Sequence, residues 1–412
     1  MNPRQARRSL ISSIQVRKHR PDYGLVVIAC ILLGIGLIVM YSISPALAAQ
    51  GGGVSDNYYV NKQFIATILG LIAFIAVSRI PLTFWEKYQK ILIGVTFILC
   101  LASIGLGGLG SRWITIGALS FQPVELVKFT LIISGAGVMA RAVSSGSIGK
   151  LSSLKPLIIT LLAFSFIIIG LQKDLGSAFV LLAMIGIMAF VAGLPMKRLL
   201  IFAGVVLFIV IIAISSTAYR RERFLTFLQP ERDCATSGYQ ACQALIAVGS
   251  GGTFGLGVGR SIQAYGYLPE SNNDSIFAIY AEKFGFIGAV ILIGIVGSLL
   301  LRILNIMQRA PNKATQLMCA GVFAWFGIQA IINIGAMIGL LPLKGITLPF
   351  ISYGGTSLVF SMAALGIVFQ ISSYTSMRQS SVSYDKERGN NESNNNWRRN
   401  SRPHYTITRN SL

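Results

Sequence analysis

Charge is what this chain has least of. Only 12% of its 412 residues are Asp, Glu, Lys or Arg, about half the share of an ordinary soluble domain, which excludes a soluble globular protein. Acid is scarcer still, with 14 Asp and Glu in all. Histidine occurs only at His19 and His404, both in polar terminal stretches. A Ser-His-Asp arrangement and a Cys/His metal site are therefore excluded. Any chemistry must run on carboxylates, Lys/Arg and hydroxyls. Cysteine is also sparse: Cys30, Cys100 and Cys319 lie inside apolar runs, where a thiol packs as a small hydrophobe.

Long apolar runs are abundant. Ten are found, near 23–44, 60–79, 90–109, 123–142, 155–171, 176–194, 198–215, 275–303, 315–340 and 355–374, each long enough or nearly so to cross about 30 Å of hydrocarbon. The pattern predicts an all-α polytopic membrane protein of about ten transmembrane helices. Its largest extracytoplasmic loop, 216–274, falls between helices 7 and 8. The first run has a basic lead-in and an Ala46-Leu47-Ala48 sequence that mimics a cleavage site. At 20 residues (25–44) it exceeds the roughly 7–15 of a signal peptide, so an uncleaved first helix is expected. Three regions follow: a basic N-terminus (1–21), a transmembrane domain (22–375) and a polar tail (376–412) whose composition predicts disorder.

A net charge of +21 invites a nucleic-acid reading, but its distribution opposes one. Six Lys/Arg precede the first run and seven more fall in the tail. With ten spans both termini share a side, and Lys87, Lys90, Arg141, Lys150, Lys155, Lys197, Arg198, Arg302, Arg309 and Lys313 belong to it. The positive-inside rule makes that side cytoplasmic. The opposite side breaks its expected poverty in charge at a few places: Arg112 with Glu125 and Lys128; QKDLGS (172–177); YRRER (219–223) with Arg221; Glu270 with Asp274; and Lys344. Ionisable groups at membrane depth read as functional by default. Glu125 and Lys128, spaced i, i+3, pair on one helix face, as a structural ion pair or as part of a site. Arg clusters suit phosphate, or merely form a solvated rim. Cys234 and Cys242 lie in the large loop, in an oxidising compartment, as a disulfide or as two free thiols. AVGSGGTFGLGVGRS (247–261) has six glycines but no Walker ending; a re-entrant segment suits it better than a nucleotide loop.

The stretch YGYLPESNNDSIFAIYAEKFGFIG (265–288) sets Asp274 at the mouth of an apolar helix. The plain reading is a helix N-cap; the functional one is a general base. A transporter or lipid flippase, with charges near the midplane and access to both sides, is a rival class, and a scaffold without activity is another. Clustering of the charges on one face favours a one-sided enzyme over a carrier.

Several motifs, in order, resemble the SEDS (shape, elongation, division and sporulation) family of peptidoglycan glycosyltransferases. They are PDYGLVVIACILLGIGLIVMYSIS, GSRWITIGALSFQPVELVKF, QKDLGSA (with Lys173 where the family has proline), the loop from SGYQACQ to FGFIG, and LPLKGITLPFISYGGTS. The resemblance runs to about residue 375. The family loop usually reads Leu-Pro-Glu-Ala-His-Thr-Asp-Phe; here Asn272 and Asn273 stand in place of His and Thr, and only one arginine, Arg112, is present in the Arg-Trp loop. Lys344 to Pro349 looks more like the division branch than the elongation branch. The resemblance implies polymerisation of lipid II through β-1,4 bonds with inversion, and undecaprenyl pyrophosphate as leaving group. It implies Asp274 as the catalytic base. Arg112, Lys128, Arg221 and Lys344 would hold pyrophosphate, and Glu125, Gln240, Glu270 and Ser352 would help to bind or shape the substrate site. A divalent cation (Mg or Mn) bridging Asp274 and pyrophosphate is compatible with this, though no ligand cluster demands it. A class B penicillin-binding protein and other division proteins are the implied partners, in the cell membrane at the septum, with no nucleic acid involved.

Overall fold

The computed structural model describes residues 16–50, 54–117, 119–215, 221–222, 225–227, 234–236, 238–343 and 345–376. Lys344, most of 216–233 and the tail from 377 lie outside them. Two units are distinguished. In one, Val16–Lys18 (β1) pairs antiparallel with Tyr374–Ser376 (β4), Val16 opposite Ser376. The other, Arg20–Ser373, is the helical body.

Every apolar run becomes a helix. In order they are α1 (Tyr23–Gln50), α2 (Tyr58–Arg79), α3 (Leu82–Gly107), α4 (Pro123–Ser144), α5 (Leu151–Ser165, extended by a π-helical turn to Leu171), α6 (Leu175–Ala192), α7 (Met196–Ser215), α9 (Ile276–Gln308), α10 (Lys313–Met337) and α11 (Gly355–Ser372). A shorter helix, α8 (Tyr239–Ser250), precedes α9. A hairpin of Ile114–Ile116 (β2) and Leu119–Phe121 (β3) leads into α4. With ten crossings, the starts of α4, α6, α9 and α11 and the end of α10 all face the end that carries the 216–275 loop.

The helices sort into an inner and an outer set. α4, α6, α10 and α11 bury most of their length, with α10 packed on both α4 and α6. α7 buries only Ala213, packs on α6, and otherwise turns Leu200, Val205, Phe208 and Ile212 outward. An apolar surface facing out is what a lipid environment selects. At the terminal end, Asp22 joins Arg302 of α9 (2.8 Å), and its backbone N–H donates to Ser372 of α11.

The glycine-rich segment folds against α9 rather than into solvent. α9 breaks at Gly285 (φ 68°). There Leu256 and Gly257 donate to the carbonyls of Glu282 and Lys283, and Phe286 and Ile287 donate to those of Gly252 and Thr253. These four bonds give backbone groups at the break partners in the loop, as backbone away from water requires. The junction lies roughly 10–16 Å along α9 from its start. The segment is thus paired with the interior of α9 at its break. A Cβ on Gly285 would stand 2.3 Å from the Gly255 nitrogen, and one on Gly255 (φ 84°) 2.2 Å from the Lys283 carbonyl. Gly285→Ala is expected to lower stability by about 1–3 kcal/mol from the left-handed backbone alone, and by more from the clash. A thermal midpoint unchanged in detergent would contradict this.

Candidate active site

Asp274 is buried, with 8% exposure, immediately ahead of α9. It is not the helix cap: Ser275 takes the N-cap position, without a side-chain capping bond. The plain N-cap reading is thus displaced by one residue. The loop around Asp274 is held through its backbone. Tyr353 N–H donates to the Asn272 carbonyl (2.8 Å), Ser352 Oγ to that of Asn273 (2.6 Å), and Asn333 Nδ2 to that of Asp274 (2.8 Å). From inside, Ser275 Oγ donates to the Pro269 carbonyl and accepts from Gln240 Nε2 of α8 (3.2 Å). Successive peptide units are thereby fixed by groups from α8, α10 and the loop before α11.

The same loop before α11 forms the facing wall. A Cβ on Gly345 would stand 3.9 Å from Asp274 Oδ2. Ser352 accepts from Leu348 N–H (2.7 Å) while donating to Asn273, so its single proton is committed inside the protein and it braces the loop. Burial, and then Tyr58 and Tyr59, push the Tyr353 phenol up to about 12, so it stays a neutral hydrogen-bond donor. Two bends here use left-handed backbone on residues with side chains, Glu270 (φ 50°) and Phe350 (φ 68°). Such conformations persist where the surroundings over-determine them. Glu270 is exposed and accepts from Asn273 Nδ2 (2.6 Å).

A second group of charges lies on the neighbouring helices. Lys128 Nζ is 2.7 Å from Glu125 Oε1, and the two residues are 1% and 4% exposed. The ammonium sits 4.8 Å above the Trp325 ring of α10 and also feels the Asp174 carboxylate. Asp174 caps α6 through Ser177 N–H and Oγ. Arg112 reaches it at 3.8 Å and donates to the carbonyls of Gln172 and Lys173. Lys173 has φ 55°, a value closed to proline.

One face of α10 joins the two groups. Trp325, Gln329 and Asn333 are spaced i, i+4, i+8, on one side of the helix, and span about 12 Å. Lys128 meets the first and Asp274 the last. All three are buried. Glu125 Oε2, Gln329 Oε1 and Asn333 Oδ1 accept no hydrogen bond among the described residues, the kind of buried acceptor that water or a substrate hydroxyl satisfies.

Of the residues singled out from the sequence, the structure thus gathers Asp274, Gln240, Glu270 and Ser352 in one place. Arg112, Glu125 and Lys128 form the adjoining group. Arg221 is exposed, and Lys344 lies outside the described residues, next to Gly345. Cys234 and Cys242 are joined in a disulfide that ties the loop to the first turn of α8, two residues from Gln240. Cys30 is exposed rather than buried, whereas Cys100 and Cys319 are buried. Among the described residues no three His, Cys, Asp or Glu side chains converge on a metal position; a divalent ion held by one or two carboxylates completes its shell with phosphate oxygens and water, so Asp274 would hold one only together with the substrate.

Sequence reasoning missed Glu282 and Lys283. Glu282, fully buried, accepts from Ser261 Oγ and from the N–H groups of Ile262 and Gln263, and Lys283 donates to the Val258 carbonyl. Adjacent charges inside an apolar run were the available signal. Asn333, a lone amide in an apolar helix, was missed too.

Comparison with known proteins gives consistent matches. The cell cycle protein family of FtsW, RodA and SpoVE matches residues 23–377. The probable peptidoglycan glycosyltransferase FtsW of Saccharophagus degradans is 37% identical over 368 residues, covering 85% of this chain and 92% of that protein. Stage V sporulation protein E of Bacillus subtilis is 35% identical over 366 residues, covering 87% and 99%. Among solved structures, a chain from a study of polymerization and crosslinking by a peptidoglycan synthase complex superposes with a TM-score of 0.71 at 27% identity, covering 85% of this chain and 97% of that one. The rod shape determining protein RodA of Thermus thermophilus superposes with a TM-score of 0.63 at 25% identity, covering 85% and 96%.

Proposed function

Because this chain belongs to the cell cycle protein family of FtsW, RodA and SpoVE, the SEDS proteins, we propose that Asp274 is the base of its glycosyl transfer. The chain is a peptidoglycan glycosyltransferase and, by identity, more like FtsW than RodA. The observation that carries the assignment is the backbone clamp on residues 272–274, which sets one carboxylate at the mouth of a membrane helix. Rigid placement of a reacting group is where much of an enzyme's rate arises.

The substrate is lipid II, half lipid and half sugar, which suits a site at the rim of the helical body. The Asp274 carboxylate takes the proton of the attacking 4-hydroxyl. The freed oxygen forms the β-1,4 bond at the anomeric carbon as the α-linked undecaprenyl pyrophosphate leaves, so the centre inverts. Arg112, Lys128, Arg221 and Lys344 neutralise the departing pyrophosphate. Glu125, Gln240 and Glu270 orient the sugars, and Ser352 holds the wall behind them. A divalent cation carried in with the pyrophosphate would add charge neutralisation there.

Of the buried ionisable groups among the described residues, Glu125, Lys128, Asp174 and Asp274 stand at helix starts, and Glu282 and Lys283 about two turns into α9, all in the half of the body that carries the 216–275 loop, which suits a one-sided enzyme better than an alternating-access carrier or flippase. That end is extracytoplasmic in this reading, with both termini cytoplasmic and the chain in the cell membrane at the division septum. A class B penicillin-binding protein, the crosslinking partner, and other division proteins complete the assembly.

The test is polymerisation of fluorescent lipid II by the purified full chain with its cognate transpeptidase, with other transglycosylases inhibited. Glycan ladders are expected. Their absence, with the partner bound and active, would overturn the enzymatic reading, and lipid II transfer between leaflets of a liposome would then favour the flippase.

A further inference from the structure

We infer that Asn333 is the positioning residue for Asp274, its side-chain amide setting both the direction of the base and the distance of the facing wall. The inference rests on Asp274 being the base.

Asn333 sits one turn before the end of α10, in the run AIINIGAM, and is buried. An amide inside a membrane helix is costly unless its polar atoms are used. Here Nδ2 is 2.8 Å from the Asp274 carbonyl oxygen and 2.8 Å from that of Ile346. Both partners only accept, so both need the nitrogen, and the orientation of the amide follows from the bonds themselves.

The first of these bonds acts on the base directly. The helical ladder of α9 begins with the Ser275 carbonyl, which accepts from Ala278 and Ile279. The Asp274 carbonyl stands one residue outside that ladder and takes its hydrogen bond from Asn333. The Ser275 N–H of the same peptide donates to the Glu270 carbonyl (3.2 Å), so Asn333 supplies the second anchor of the 274–275 plane, the one at its oxygen end, and with it helps to set the direction in which the Asp274 side chain leaves the backbone. The second bond fixes Ile346 and thus its neighbour Gly345, the residue that faces Asp274 Oδ2. One nitrogen therefore ties the base to the wall opposite it. The bonds from Ser352 and Tyr353 reach Asn273 and Asn272 instead; they hold the loop but not the Asp274 carbonyl, which takes its bond from Asn333.

The test measures kcat and KM for lipid II with the full chain and its transpeptidase, for Asn333→Asp, Asn333→Leu and Asp274→Asn, with thermal midpoints recorded in parallel. Aspartate replaces the donor by an acceptor at equal size. Leucine removes the donor without burying a new charge, and serves if the aspartate variant fails to fold. For a folded Asn333 variant the expected result is a kcat lower by on the order of 10²-fold, with KM within about twofold of wild type. A raised KM with kcat kept would make Asn333 a substrate contact and overturn the inference. So would a kcat per folded molecule equal to wild type, or losses that merely follow the thermal midpoint. If Asp274→Asn polymerises normally, the base assignment itself fails. If it is silent while the Asn333 variants keep their kcat, only the positioning role fails.

Discussion

Asp274→Asn leaves a folded, membrane-inserted protein that makes no glycan. Asparagine keeps the size of aspartate but cannot accept the proton of the attacking hydroxyl, and loss of a general base costs about 10²–10⁴ in rate. The fold should survive because the bonds that hold residues 272–274 run through backbone carbonyls, which the substitution leaves in place. The measurement is the ladder assay, with wild type and variant side by side and the variant's thermal midpoint taken as proof of folding. Equal ladders from both would remove Asp274 as the base. The search would then move to Glu125, whose Oε2 accepts no hydrogen bond among the described residues, and to Glu270, four residues upstream and exposed. A scaffold without catalytic activity predicts a different outcome in cells, where the variant would still support division.

Much of this arrangement was legible in the sequence, for a physical reason. A membrane helix needs about 20 apolar residues in a row, so the ten runs translate directly into ten long helices among the described residues, with ends that shift, as where α1 runs on to Gln50 and α10 stops at Met337. Charges among so few acids are equally conspicuous, which is why Asp274, Glu125, Lys128 and Arg112 stood out. Side-chain destinations were not legible. Ser352 has the same hydroxyl whether it meets a sugar or the Asn273 carbonyl, and only the packed loops reveal the second. Asn333 looks like an isolated polar residue until α10 brings it to the carbonyls of two loops distant in sequence. The break at Gly285 needed knowledge that the glycine-rich loop returns to the same helix. The N-cap at Ser275 rather than Asp274 follows from that packing, since either residue type caps helices well.

The buried pair Glu125–Lys128 separates stability from catalysis more sharply than any other site. Lys128→Met is expected to destabilise the protein by about 3–5 kcal/mol, because it strands the Glu125 carboxylate without its cation in a water-poor interior. The double change Glu125→Gln with Lys128→Met should regain most of that stability, since no charge is left uncompensated and a buried pair replaced by neutral groups is often neutral or better. Thermal midpoints in detergent check both statements. If the pair serves only the fold, polymerisation returns with stability in the double variant. The geometry favours the other result. Lys128 spends one of its three donors on Glu125, leans over Trp325 on the α10 face that ends at Asn333 and Asp274, and lies within the field of Asp174, which Arg112 also approaches. Removing that cation from beside a developing pyrophosphate should keep the double variant silent although folded, with the loss in kcat rather than in binding alone. A stable double variant that polymerises at the wild-type rate would reduce the pair to scaffolding and leave the leaving group to Arg112, Arg221 and Lys344.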